Sequence, residues 1–191
     1  MPVFRSEAVT TADLTGSPVR LEFAQKAFIV HDDRLLLVRK SASDPLHPGR
    51  WEVPGGRLEV ADDLDLDDHI RREVWEEVGL KVDPGPPFHM WQWFMPGRAP
   101  ADRPGGRQGG GQGGGQGGSP GPDGGRALVR VVAVARTCRA ETTEITMEHQ
   151  MPDDHLSEPT WVPLGLLTGF DLIPDLRPVM RAFLRLHPAA G

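Results

Sequence analysis

Residues 51–80 read WEVPGGRLEVADDLDLDDHIRREVWEEVGL, and the periodicity of the second half decides the fold. Leu66, Ile70, Val74 and Val78 recur at every fourth position, the slowly drifting apolar stripe of a helix expected over about Asp65–Val78. Asp62, Asp63 and Asp65 stand near its start, where side-chain capping and the helix dipole favour acids. Gly79 follows the last periodic residue and is a natural C-cap. On the other side, Trp51-Glu52-Val53 is a short extended piece that stops at Pro54-Gly55-Gly56.

Outward from this stretch the chain alternates strands and helices. Residues 22–31 (EFAQKAFIVH) and 34–39 (RLLLVR) flank Asp32-Asp33, a β-hairpin with a tight turn. Pro45, Pro48 and Gly49 then break the chain. Leu80–Val82, Phe88–Met95 and Ala127–Cys138 read as extended, as does Glu158–Val162 around Trp161. Leu164–Leu167 reads as a helical turn. Pro174–Leu186 reads as an amphipathic helix with Leu176, Val179, Met180, Phe183 and Leu184 on one side. This pattern predicts a mixed α/β layered domain over 21–191, preceded by an N-terminal extension over 1–20. Between Gly105 and Gly125, 13 of 21 residues are glycine, too little apolar surface to offset ordering entropy. A disordered insertion over about 97–126 is expected, at a loop-closure cost of only about 0.6 kcal/mol per doubling of length.

Composition narrows the function. The 191 residues carry 27 acidic and 21 basic side chains, a net charge of -6, which argues against nucleic-acid binding by backbone neutralisation. The lone Cys138 cannot form an internal disulfide, and a reducing compartment is expected. The first 16 residues lack the apolar core of a secretory signal, and no apolar run approaches the roughly 20 residues that cross a bilayer. The expectation is a soluble cytoplasmic protein with no membrane partner, its oligomeric state open and a homodimer among the options.

The chemistry lies in Arg72-Glu73-Val74-Trp75-Glu76-Glu77. Helix positions i, i+3 and i+4 are surface neighbours with Cβ atoms about 5–6 Å apart, so Glu73, Glu76 and Glu77 converge beside the apolar stripe. Taken alone, such a trio reads more readily as a solvated acidic face; the alternative is a hard divalent cation, which prefers clustered carboxylates. The run 63–68 (DLDLDD) is no EF-hand, since Asp68 stands where the glycine belongs and Val74 where the bidentate Glu belongs. The Gly-Arg pairs of the glycine-rich segment have no interleaved aromatic residue, which speaks against RNA binding.

With its lead-in Trp51-Glu52-Val53-Pro54-Gly55-Gly56-Arg57-Leu58-Glu59, the segment resembles the Nudix hydrolase family, whose signature is G-x5-E-x7-R-E-U-x-E-E-x-G-U with U bulky and apolar. Gly56 matches the first glycine, and Arg72, Glu73, Val74, Glu76, Glu77, Gly79 and Leu80 match every defined position of the second half. The middle departs from the pattern. Asp62 stands where the signature has glutamate, and nine residues rather than seven separate it from Arg72, so that Asp62 or Asp63 takes the place of that glutamate. The late segment 158–164 (EPTWVPL) also looks like a family landmark.

The resemblance implies an α/β/α sandwich with a mixed β-sheet between helices. It also implies a Mg²⁺-dependent (or Mn²⁺-dependent) pyrophosphohydrolase that cleaves a nucleoside diphosphate linked to another moiety. It puts the metal on Glu73, Glu76 and Glu77, with a carbonyl of Gly55 as a further ligand, and gives Arg72 the role of orienting Glu73 or its neighbours. The general base is open between a glutamate of the helix and Glu148, Asp153, Asp154 or Glu158, with His155 a weaker option. Arg39, Lys40 and Arg50 are phosphate contacts or ordinary surface charge. Trp91 and Trp93, on one face of a strand, stack on a base or pack in the core. Two other readings stay open: a catalytically silent nucleotide-binding regulatory domain, and an isomerase of prenyl diphosphates using Cys138. The substrate itself is open among a nucleoside triphosphate, ADP-ribose, a dinucleoside polyphosphate, a nucleotide sugar and a cofactor.

Overall fold

The computed structural model describes residues 20–58, 65–96, 128–151 and 155–188. The expected N-terminal extension up to residue 19, the glycine-rich insertion, Glu59, Asp62, Asp63, Asp153 and Asp154 lie outside the described residues. By contact density the chain forms two units, Glu22–Trp93 with Val132–Gly191, and Met1–Leu21 with Phe94–Val131. Within the described part of the second, the Arg130 guanidinium lies over the Phe94 ring at 4.9 Å.

Strands β1 (Arg20–His31) and β2 (Arg34–Lys40) form the expected hairpin. Asp32 and Asp33 both take positive φ, 44° and 56°, the conformation of a type I′ turn whose twist matches that of its strands. β3 (Trp51–Glu52) and β6 (Leu156–Pro163) both pair antiparallel with β2. β5 (Leu128–Ala140) lies beside β1 and β4 (Val82–Pro96) beside β5, giving the order β3-β2-β1-β5-β4. The sheet is mixed: Trp51 also makes a parallel bridge to Leu172. The two extended pieces expected at Leu80–Val82 and Phe88–Met95 are one strand. Pro84, Pro86 and Pro87 are tolerated inside it because β4 is an edge strand, with one row of N–H groups not needed for pairing.

Alternation along β1 and β2 sorts the core into two layers. Phe28, Leu35 and Leu37 face Leu176, Val179, Met180 and Phe183 of the second helix α2 (Leu176–Leu186), together with Leu164 and Leu167 of a 3₁₀ segment. Ala27, Ile29, Leu36 and Val38 face Ile70, Val74 and Val78 of the first helix α1 (Leu66–Val78). The result is the expected α/β/α sandwich.

One member of the expected apolar stripe does not join the core. Leu66 is 40% exposed at the first position of the helix, while its carbonyl accepts from the buried Gln25 Nε2 at 2.7 Å. The inner arc of α1 instead includes two polar side chains, His69 and Glu77, 3% and 7% exposed. Asp65 caps α1 by accepting from the N–H groups of Asp67 and Asp68, at 2.7 and 3.3 Å. Gly79 closes it in the left-handed region at φ 66°.

Candidate active site

The site is built where the Pro54-Gly55-Gly56 turn meets α1. Gly55 has φ 122°, a conformation that side chains rarely adopt, and a Cβ there would lie 2.3 Å from the Gln25 carbonyl oxygen. A Cβ on Gly56 would lie 1.9 Å from Glu73 Oε2. The two glycines therefore let the turn close onto the helix. The Gly55 N–H donates to Glu77 Oε2 at 2.8 Å, and the Gly56 backbone faces the Glu73 carboxylate.

The three glutamates divide into two kinds. Arg72 reaches Glu73 Oε1 with Nη2 and Glu76 Oε2 with Nη1, both at 3.0 Å, so one guanidinium offsets their repulsion. Glu77 turns inward, where burial pushes its carboxyl up to about 8; Lys26 and the Gly55 N–H oppose this, while Glu52 and Glu73 add to it. The expected single cluster is thus divided: among the described residues no three Asp, Glu, His or Cys side chains are gathered closely enough, as they stand, to hold a metal ion. The physical reason is that Arg72 and Gly55 already satisfy the carboxylates from opposite sides.

Behind the turn lies a charged group that sequence reading did not foresee. Glu52, 3% exposed, accepts from Lys26 Nζ at 2.9 Å and Lys40 Nζ at 2.7 Å. Burial alone would raise its carboxyl, but Lys26 and Lys40 outweigh burial and hold it near about 2. Lys26 also donates to the Gly55 carbonyl oxygen, the atom expected to face a metal. Lys40, read as surface charge or a phosphate contact, is instead half of this buried pair. Strand alternation was the only signal available for Glu52.

The remaining candidates lie elsewhere on the fold. Arg39 bridges Glu158 at 2.9 Å and the Gly49 carbonyl at 2.9 Å, so a candidate phosphate contact and a candidate base are partners of one another. Arg50 approaches Asp171 at 3.6 Å. Glu148 is exposed, its N–H donating to Thr146 Oγ1 in the segment that packs on Gly79. His155, also exposed in part, carries φ 50° and lies 3.3 Å from Ser43 Oγ through Nδ1. Trp91 and Trp93 stack at 5.9 Å, with Trp91 packed against the α2-side core and both rings partly exposed. Cys138 is buried and its thiol is pushed up to about 12 by burial, which makes it a poor nucleophile and removes the support for an isomerase.

Carboxylates and a backbone carbonyl are the donor types a hard divalent cation takes, and the glycine turn leaves the backbone close to two of the three carboxylates, so an ion would need only side-chain adjustment to be held.

Sheet, flanking helices and a double-glycine turn clamped to an acidic helix together define the Nudix-type class of α/β/α sandwich. The chain matches the NUDIX domain model over residues 23–186 and belongs to that family. It is 34% identical over 71 residues to a MutT-like protein of Streptomyces ambofaciens, a match covering 37% of this chain and 42% of that protein. The chain therefore spans less than half the length of this curated relative. The MutT protein of Methanosarcina mazei Go1 shares the fold with a TM-score of 0.57 at 18% identity, covering 91% of this chain and 98% of that one. The NUDIX domain of Shewanella oneidensis NrtR, solved in complex with ADP ribose, superposes with a TM-score of 0.53 at 16% identity, covering 93% of this chain and 99% of that one. Among the described residues no helix is long and apolar enough to cross a membrane.

Proposed function

We propose that this chain is a Mg²⁺-dependent hydrolase, able to use Mn²⁺, that cleaves the phosphoanhydride of a nucleoside diphosphate linked to another moiety. The observation that carries this reading is the clamp of the Gly55-Gly56 turn on α1, through the 2.8 Å bond from Gly55 N–H to Glu77 and the close approach of Gly56 to Glu73. Glu73, Glu76 and Glu77, with the Gly55 carbonyl, would hold the ion. When bound, it would polarise phosphoryl oxygens and make a water acidic enough to attack.

The chain's own groups then have distinct tasks. Arg72 holds Glu73 and Glu76 in a fixed relation through its two Nη atoms. Lys26 and Lys40 neutralise Glu52 behind the turn, and Lys26 also holds the Gly55 carbonyl. Arg39 and Arg50 are the candidate phosphate contacts, and the Trp91–Trp93 stack offers a face for a base. Glu148 and Glu158 are the candidate bases; Glu148 is exposed, whereas Glu158 must first leave Arg39. The ligand of the Shewanella domain makes ADP-ribose the first substrate to try, ahead of nucleoside triphosphates and nucleotide sugars. A buried cysteine and the absence of any required disulfide suit the cytoplasm.

The test is release of phosphate-containing product from each substrate class with Mg²⁺, run beside Glu77→Gln. The expected outcome is a loss of turnover of at least about a hundredfold in the variant, the scale of a lost catalytic group. Equal turnover in the two proteins overturns the metal assignment. A non-catalytic nucleotide-binding domain is the second reading. It is favoured by the Arg72 bridge, which satisfies Glu73 and Glu76 without an ion. Saturable ADP-ribose binding with no turnover in any class would select it.

A further inference from the structure

One turn before Glu73, α1 carries a histidine that neither the signature nor the mechanism uses. His69 is 3% exposed, and its ring lies between β1 and the carboxylate site. Its Nδ1 is 3.0 Å from Nε2 of Gln25, and its Nε2 is 3.5 Å from Glu73 Oε1. Gln25 is itself 1% exposed.

The orientation of the Gln25 amide follows from its other partners. Its nitrogen lies 2.7 Å from the Leu66 carbonyl oxygen, which can only accept, so the group pointing there must be the NH₂. Its oxygen faces Arg136 Nη1 at 3.5 Å, which can only donate. Flipping the amide would set oxygen against oxygen and NH₂ against guanidinium. Arg136 is anchored in turn by Asp67 and by the Gly85 carbonyl at 2.8 Å. Gln25 therefore presents an N–H to His69 Nδ1. That nitrogen must accept, and the ring proton must be on Nε2, directed at Glu73.

We propose that His69 is a positioning residue for Glu73: Gln25 fixes its Nε2–H tautomer, and that N–H orients the Glu73 carboxylate towards the ion. The inference rests on the metal-dependent reading above. Its physical basis is that a ligand carboxylate accepting an N–H on one oxygen keeps a defined direction for the other, and such outer partners govern metal affinity. Arg72 bridges Glu73 across the helix surface, and His69 Nε2 approaches its Oε1 to 3.5 Å from within. The proposed N–H···O bond requires this 3.5 Å separation to close to about 3 Å, the ordinary length for N–H···O. Gln25, His69 and Glu73 thus lie in sequence from the sheet to the site, with Arg136 at the far end.

Two measurements test this. In the full-length protein, long-range ¹H–¹⁵N spectra should show His69 with a bare Nδ1 and a protonated Nε2. A protonated Nδ1 overturns the proposal without any variant being needed. Mn²⁺ titration, followed by loss of the free-ion EPR signal, should show His69→Leu weakened about tenfold or more, the scale of lost outer partners. His69→Gln can accept from Gln25 and donate to Glu73, so it should stay within about threefold of wild type. Both variants are expected to lose thermal stability, so rescue by glutamine separates positioning from packing. Equal affinity in all three proteins, or equal loss in both variants, overturns the positioning role. If His69→Leu does not fold, loss in His69→Gln does the same, and retained affinity there with the predicted tautomer supports it. A wild type that binds no Mn²⁺ instead sinks the metal reading, and the ion-directed part of this inference with it, whichever tautomer is seen.

Discussion

Gly56 has less room than any other described glycine of the site. A single added methyl would occupy space 1.9 Å from Glu73 Oε2, a contact that must be relieved by moving the carboxylate. Gly56→Ala is therefore expected to fold, because Glu73 is the movable partner, while losing at least about tenfold in kcat under saturating Mg²⁺, an ångström-scale misplacement of a working group. Steady-state kinetics beside a melting curve checks both halves; unchanged kcat would mean that Glu73 has no fixed place in the reaction. The glycines and glutamates were readable from sequence because their spacing is local. Glu52, Lys26 and His69 were not, because what each side chain touches is supplied by a distant part of the chain: Gln25 and His69 are 44 positions apart.

At the scale of elements, α1 is both a packing unit and the carrier of the acids. Its beginning depends on Asp65, whose carboxylate accepts from two N–H groups that no helical carbonyl can serve. Asp65→Ala should cost about 1 kcal/mol, measured by urea unfolding, and leave kcat nearly unchanged, since the catalytic turn lies two turns further on. A large kcat loss without a stability loss would place Asp65 in the site itself. The helix boundaries, the hairpin turn and the 3₁₀ segment were all legible, each being marked by residues adjacent in sequence. The unity of β4 was hidden by its prolines, and the exposure of Leu66 by the fact that periodicity gives a helix's apolar side but not how far along it the packing partners reach.

Across the sandwich, the Lys26–Glu52–Lys40 group ties β1, β2 and β3 together under the glycine turn. Glu52→Gln leaves two ammonium groups with little solvent and should destabilise by about 3 kcal/mol at neutral pH, the scale of a broken buried pair. The group also sets a pH dependence. The folded carboxyl sits near about 2 against an ordinary 4.5, so the unfolded state binds the proton more readily between those values. The stabilisation is complete above about 4.5 and disappears as pH falls towards 2. The stability difference between wild type and Glu52→Gln should therefore shrink steadily over that window in acid titrations. A difference independent of pH would show that the carboxylate charge is not what stabilises the turn.

What the amino-acid sequence determined by itself was everything governed by near neighbours: two helices, the first with its caps, the hairpin, and a run of three glutamates behind a double glycine, enough to indicate the family. Which acid is buried and which solvated, which lysines neutralise Glu52, and which histidine stands behind Glu73 were decided only when β1, the glycine turn and α1 came together. A side chain's charge state and direction depend on its surroundings, and here those are contributed by residues far apart along the chain, which no periodicity records.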